Sequence, residues 1–575
     1  MRGQYEDALH LYLTLNDAHP DYLPFYDGVI RAFIATAKYS EGLAWTDSLR
    51  QGLLLKTEPD VLTVAEREQL GNLIVDSGRF LGKIDRRDEA LERWETLYDL
   101  PHVTSSAFYR LFSAMIDIRY PEGLEDMIAR ARKTTRQPTL LGASLANFFA
   151  QRGQIESAVK EWLNLLELQP RQDESIKRTI LGLPDDEITR QQVESALKKF
   201  KNRSGVRLQV TEILGEFYFR SRDWEKAYQQ VREADLLQEG SGAALIGFAE
   251  NLLAEGESTL AVEVLADLEE LHPQAAQSTR AMLVKARNLE AMQAYAAADS
   301  LFSILTSMPL LRSAHGQTAL LFQARLRLEK LYQPEAARDL LEDALKKIPR
   351  MQNPGEVMLL VGDTYLAERN LPKAQETYLE AAGGRFDRQA EFTARALVNA
   401  GLVDYYAGNF DAAMERLKEA SARSPNGLLT NNALDLQEML RTNRADSLSL
   451  ELFAQAELEE RLGDTALSES LYLNLSNVAA SEDLIERAIL NAARLELKSG
   501  DTEAALLRLI DFVERYPRSL RATEILLQIG DLYLTRLSDS AEAAKYYEKI
   551  LIDYPDALQA EQAREKLREL EHPQT

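Results

Sequence analysis

The 575-residue chain carries 91 Asp and Glu against 67 Lys and Arg, a formal charge of −24, with 45% hydrophobic residues, 28 Gly, 18 Pro and no Cys. This balance supports a buried core and excludes collagen, linker and wholesale disorder, while the lack of cysteine excludes disulfides, thiolate metal sites and cysteine nucleophiles. The acidic excess repels a phosphate backbone, so nucleic acid is not an expected partner, and no stretch reaches the ~18 apolar residues of a membrane-spanning helix.

Along the chain, an Ala followed twelve residues later by a Pro recurs at Ala8/Pro20, Ala158/Pro170, Ala261/Pro273, Ala297/Pro309, Ala337/Pro349, Ala413/Pro425, Ala505/Pro517 and Ala543/Pro555. Five residues before the Ala stands a Gly at Gly3, Gly153, Gly256, Gly408 and Gly500, as a tight turn between two helices requires. Four residues after it stand Tyr12, Trp162, Leu265, Leu341, Tyr378, Leu417, Leu509 and Tyr547, counting Ala374 as the anchor of Tyr378, and this spacing puts ring and anchor on one helix face. Farther upstream Gly215, Gly362 and Gly401 lie twelve before Ala227, Ala374 and Ala413, where a small residue lets the preceding helix approach.

Taken in order, residues 1–204 read as an irregular helical array in which Gly3 to Pro20 and Gly142 to Pro170 keep the pattern best. Met1 to Tyr5 lacks the apolar core of a signal peptide and enters directly at a turn, so an uncovered apolar flank is expected there, with any leader missing from this chain. Asp88 to Pro101 reads as a second helix with Ala90, Trp94 and Leu97 on one face, and Arg171 to Arg207 breaks the rhythm at Leu183-Pro184-Asp185-Asp186. Residues 205–425 form the regular array, 426–450 insert an extra amphipathic helical segment, and 451–575 resume the array with Ser468, Tyr472 and Leu475 as a degenerate anchor face. Leu558 to Leu570 closes it as a capping helix, apolar on one side and charged on the other.

Helix, Gly turn, helix, Pro turn resembles the tetratricopeptide repeat family, most clearly over Val357 to Ala382, Ala394 to Pro425 and Ala488 to Pro555. The resemblance implies an all-α fold, a right-handed superhelical solenoid of about 13–15 helix pairs whose first helices line a concave groove. Ala505 to Ala522, Leu527 to Tyr533 and Tyr546 to Pro555 are further similar to repeats of bacterial cell-envelope proteins of the Tol-Pal coordinator and outer-membrane assembly lipoprotein type. That similarity points to the periplasm or envelope ahead of the cytoplasm.

Catalytic signatures are absent from the sequence: no Walker loop, GxSxG elbow, HExxH or EF-hand series. His10, His19, His102, His272, His315 and His572 share no i, i+4 spacing, and Gly240-Ser241-Gly242 reads as a connector because it follows a helix. No catalytic residue, metal site or cofactor is therefore expected. The basic cluster Lys198, Lys199, Lys201, Arg203 and Arg207 reads first as the complement of a helix C-terminus, with an acidic partner as the alternative. Phe217/Phe219 and Tyr405/Tyr406 read as core, with one member of each pair open to the groove.

The expected function is a non-enzymatic scaffold holding a protein or peptide in the groove. The alternative is a regulatory or substrate-recruiting arm of an enzyme carried on another chain or on missing upstream sequence. First-helix residues 18 and 14 before the anchor repeat as Arg395 with Asn399 and Arg487 with Asn491. In chaperone-binding members of the family, basic and Asn residues at these positions clamp a peptide's terminal carboxylate, and the resemblance implies the same role for these four. The other reading has both arginines paired with acids between repeats.

Overall fold

Small residues at fixed spacing force the chain into paired helices, and the turns show how. The structure, a computed structural model, describes residues 2–20, 22–56, 62–203, 205–386, 389–425, 427 and 429–571. Met1, Ser204, Asn426 and His572 lie outside the described residues. The chain is 79% helical, with 32 α-helices and no strand among the described residues, and it divides into two compact units, Met1–Phe248 and Ala249–Thr575.

In thirteen helix pairs a residue with left-handed backbone stands five before the anchor of the second helix. Five of these are glycines, Gly153, Gly256, Gly408, Gly463 and Gly500, at φ between 72° and 93°. The other eight, Ala37, Asp85, Arg119, Arg222, Gln293, Tyr332, Arg369 and Ser538, adopt φ between 54° and 60° or, for Gln293, 61°. Their anchors are buried: Ala90, Ala158, Ala227, Ala261, Ala298, Ala337, Ala374, Ala413, Ala505 and Ala543 are all fully inaccessible, as is Ser468.

Two expectations are corrected by this rule. Gly3 lies within helix Arg2–Ala18 and not at a turn. Ala297 is exposed, and the anchor is its neighbour Ala298, with Phe302 four residues on and fully buried. Left-handed Gln293, not the distance to Pro309, sets that register. The degenerate face Ser468, Tyr472 and Leu475 is fully buried.

In the first unit one apolar cluster runs from Leu9 to Phe80 and another from Leu62 to Leu145. The expected face Ala90, Trp94 and Leu97 is buried there, although helix Arg87–Glu95 ends before Leu97. In the second unit clusters succeed one another from Leu283 to the final helix Gln559–Glu571, whose Ala560 and Ala563 belong to the last of them.

In three pairs the ring four residues after the anchor lies over a glycine on the preceding helix. A Cβ at Gly78 would collide with Trp94, at Gly362 with Tyr378 and at Gly530 with Tyr547. Tyr378 and Tyr547 also donate hydroxyl hydrogen bonds of 2.6 Å to Asp363 and Asp531, one residue beyond their glycines. Ala at Gly362 therefore overpacks a closed contact and should cost about 1–3 kcal/mol. Gly52, inside helix Tyr39–Lys56 with nothing within 4 Å of its Cβ position, should gain about 0.5–1 kcal/mol on the same change. Thermal melts of G362A and G52A read the opposite signs.

Candidate functional site

A long extra helix interrupts the regular alternation in the second unit, and the site forms there. After helix Phe410–Arg423 the chain makes an extra helix, Thr430–Thr442, before the next first helix, Ser447–Arg461. Ala433, Leu436 and Leu440 follow helical spacing, and Ala433, Met439 and Leu440 are buried against the core shared with helices 390–406 and 410–423. At its C-cap, Asn443 Nδ2 donates to Asp483 on helix Glu482–Ser499 at 2.8 Å, and Asp446, the N-cap of helix Ser447–Arg461, accepts from the backbone N–H of Ala480, just before that helix, at 2.9 Å.

Helix 447–461 takes the place of the next first helix but reaches back past its neighbour. Leu458 joins the cluster of Met358, Leu359 and Leu366, Arg461 lies 3.3 Å from Asp363, and Arg369 forms a two-point pair with Glu459. First helices Pro354–Ala367, Ala390–Tyr406 and Ser447–Arg461 therefore converge.

Two contiguous cavities open where the inserted helix meets this convergence. The smaller, about 440 Å³, is walled by Glu356, Phe392, Arg395, Ser421 and Thr430 among others. The larger, about 760 Å³, is walled by Asn399, Leu402, Tyr406, Leu436, Glu457 and Arg487 among others, and the two share Val398, Leu429 and Ala433.

Three of the four residues expected in a groove lie on these walls. Arg395 lines the smaller cavity. Its Nη2 pairs with Glu356 on the preceding first helix, its guanidinium lies 5.6 Å from the Phe392 ring centre, and its Nε is buried with no hydrogen-bond partner. Burial, with a contribution from Arg325, lowers the Arg395 pKa below the usual arginine value. Asn399, one turn on, lines the larger cavity and is partly exposed.

Arg487 lines the larger cavity from helix Glu482–Ser499, pairing with Asp483 on its own helix at 3.2 Å and with Asp435 on the inserted helix at 3.2 Å. Burial opposes its charge, but the two carboxylates outweigh burial and raise its pKa. Asn491 lines neither cavity and accepts a 3.4 Å contact from Arg494, which forms a two-point pair with Glu460 at 2.7 and 2.6 Å.

Sequence reasoning left open which of Tyr405 and Tyr406 faces the groove, and it missed Glu457, Arg461 and Asp435. A signal was available for Tyr406, Glu457 and Arg461. Residues 14, 11 and 7 before an anchor share one helix face, giving Asn399, Leu402 and Tyr406 before Ala413, and Ala454, Glu457 and Arg461 before Ser468. Asp435 sits on the inserted helix, to which no repeat register applies.

Glu457 is partly exposed and faces the larger cavity. Burial pushes its carboxyl up to about 7, with Glu460 and Asp435 adding to the rise and the Tyr405 hydroxyl and Arg487 opposing it. The Tyr405 hydroxyl is itself buried and falls short of hydrogen-bond geometry with any acceptor. Of the aromatic pair, Tyr405 is core and Tyr406 lines the cavity.

The remaining candidates resolve into structure. In the first unit Lys198 pairs with Glu194 at 2.6 Å, Lys199 with Glu156, Lys201 with Glu233 at 2.5 Å, Arg203 with Glu167 at 3.0 Å and Arg207 with Glu233 at 2.8 Å. Phe219 packs on Trp224 and Phe248, while Phe217 lines a cavity of about 200 Å³. Among the described residues no group of His, Asp or Glu converges as metal ligands do, and no helix is long and apolar enough to cross a membrane.

Near the C-terminus, helices Ala522–Thr535 and Ser540–Asp553 place Gly530, left-handed Ser538, Ala543 and Tyr547 in the register described above. Residues 524–557 match the family model described as tetratricopeptide repeat. The chain carries a tetratricopeptide repeat. Among solved structures, a chain of the APC/C hetero-tetramer Cut9–Hcn1 aligns over 92% of this repeat protein and 94% of its own length, at 12% identity and a TM-score of 0.28. No curated protein matches the chain.

Glu457 gives the site a pH signature. With its carboxyl raised to about 7 in the fold against an unperturbed value near 4.3, the folded state holds this proton more tightly than the unfolded one. The stability linked to Glu457 is full below the unfolded pKa and is lost as pH rises through about 7, a change on the order of 1–3 kcal/mol. Glu457→Gln removes that dependence. Its melting temperature should stay near that of the parent at pH 5 and exceed it by a few degrees at pH 8; an equal gap at both values counts against the assignment.

Proposed function

We propose that this tetratricopeptide-repeat protein is a non-enzymatic scaffold that holds a protein or peptide against the face built by helices 390–406, 430–442, 447–461 and 482–499. The observation that carries the reading is the pair of contiguous cavities, about 440 and 760 Å³, on which Arg395, Asn399 and Arg487 open. Sites of this size, one mainly apolar and one lined by apolar and polar groups alike, suit the side chains of a bound segment. Asn491 borders the face through Arg494.

A photo-crosslinking residue at Asn399 tests this in the native cell. A discrete adduct should form from that position and not from Glu415, an exposed residue on helix 410–423. Arg395→Ala with Arg487→Ala should weaken the adduct severalfold. Arg395 is 39% exposed, so its loss alone should change the melting temperature little, whereas Arg487, at 16% and bridging the inserted helix, should lower it by an amount on the order of 1–3 kcal/mol of stability. An adduct of equal strength from Glu415 overturns the reading.

The setting we propose is assembly in a bacterial envelope, supported by the similarity of residues 505–555 to repeats of that class. Fractionation of the native product should recover it with the periplasm or membrane. Recovery from cytosol alone removes this part while leaving the scaffold reading standing.

A further inference from the structure

Five charged side chains wall the larger cavity: Asp435, Glu457, Glu460, Arg461 and Arg487. Four are already compensated. Arg461 is paired with Asp363, Arg487 with both Asp435 and Asp483, and Glu460 with Arg494. Glu457 alone makes no ion pair among the described residues. The rest of the wall is mixed: Val398, Leu402, Leu436 and Met439 give it apolar surface, and Asn399, Asn431 and Asn432 add amides, each with a carbonyl oxygen able to accept from a cation.

We infer that this cavity seats a lysine or arginine side chain carried on an apolar segment of the protein partner, with Glu457 as its counter-ion. This rests on the reading that the face binds a partner, and it names that partner's chemistry.

Three observations favour a cation over the carboxylate that the arginines were expected to clamp. An incoming carboxylate must displace Glu356 from Arg395, or Asp435 and Asp483 from Arg487, whereas a cation at Glu457 displaces no ion pair. The aliphatic stem of Lys or Arg can lie on the apolar part of the wall while its charged end meets the polar part. The chain's formal charge of −24 attracts a basic partner at long range.

The groups that face Glu457 set its response to pH. They are Tyr405 and Tyr406 from helix 390–406, Asp435 from the inserted helix, Glu460 and Arg461 from its own helix, Tyr472 from helix Thr465–Val478, and Arg487 and Arg494 from helix 482–499. Tyrosines and arginines hold their charge state across pH 6–8, which leaves Glu457 as the group that changes. A bound cation favours its ionised form, so capture strengthens as pH rises.

A random library of 12-residue peptides displayed on phage and selected on the full chain supplies the probe, with a photo-crosslinking residue at Leu436 reporting which peptides lie at this face. Peptides that crosslink should share a Lys or Arg among apolar residues, bind Glu457→Gln at least tenfold more weakly, recover most of that loss in Glu457→Asp, and bind the parent chain more tightly at pH 8 than at pH 6. Melting curves of both variants establish that they are folded. Crosslinking peptides that lack a basic residue, that are acidic and depend on Arg395 and Arg487, or that bind Glu457→Gln as tightly as the parent overturn the inference while sparing the proposed face. If no selected peptide crosslinks at Leu436, the inference and the proposed face both fall.

Discussion

The constraint on which the rest depends is the left-handed residue five positions before each small anchor. It fixes the angle at which the second helix leaves the first. The anchor, with no more than a methyl or hydroxymethyl group in almost every pair, then meets the preceding helix closely, and in three pairs the ring four residues on covers a position with no Cβ. A single pair of helices leaves one flank of its apolar stripe uncovered, so pairs must stack to bury it. Eight of the thirteen left-handed turn residues are not glycine, and each accepts a backbone penalty of about 1 kcal/mol. Packing of the anchor and ring, and not the ease of the turn, therefore sets the geometry.

Where the repeat lapses, space appears. The inserted helix 430–442 has a narrow apolar face that packs on helix 410–423, and it is bordered by three cavities: the two of the candidate site and a third of about 330 Å³ lined by Phe410, Met414, Leu434 and Leu440 among others. No anchor and ring pair belongs to this helix, so nothing in it matches the spacing of its neighbours. The Asn443 contact at its C-cap and the Arg487 bridge hold it instead. The irregular element thus brings both binding volume and polar groups to one face.

Much of the fold was legible because glycine, alanine and proline are placed by sterics that one sequence displays. Gly153, Gly256, Gly408 and Gly500 announced their turns, and the buried rings followed by addition. Legibility ended where other residues took the same backbone. Gln293 carries no turn signal, so counting back from Pro309 set the anchor one residue early at Ala297. Gly3 carried the signal without the turn. At the site, Arg395, Asn399 and Arg487 were found from spacing alone, but their ion-pair partners lie 39 and 52 residues away on Glu356 and Asp435. Such pairings belong to tertiary structure, and so did the choice between a free and a committed arginine.

Glu457 is the residue in which these threads meet. Local rules disfavour it: a carboxylate drawn away from water beside Asp435 and Glu460 loses solvation and gains repulsion, and its pKa rises accordingly. Every other charge on the cavity wall has been neutralised by a neighbour, so the chain had the means to neutralise this one. Glutamine would fill the same volume without the electrostatic cost. A position where local economy fails while its surroundings obey it is where function is most often found. At Glu457 the missing term is a positive charge, and the cavity in front of it has room for the side chain that brings one.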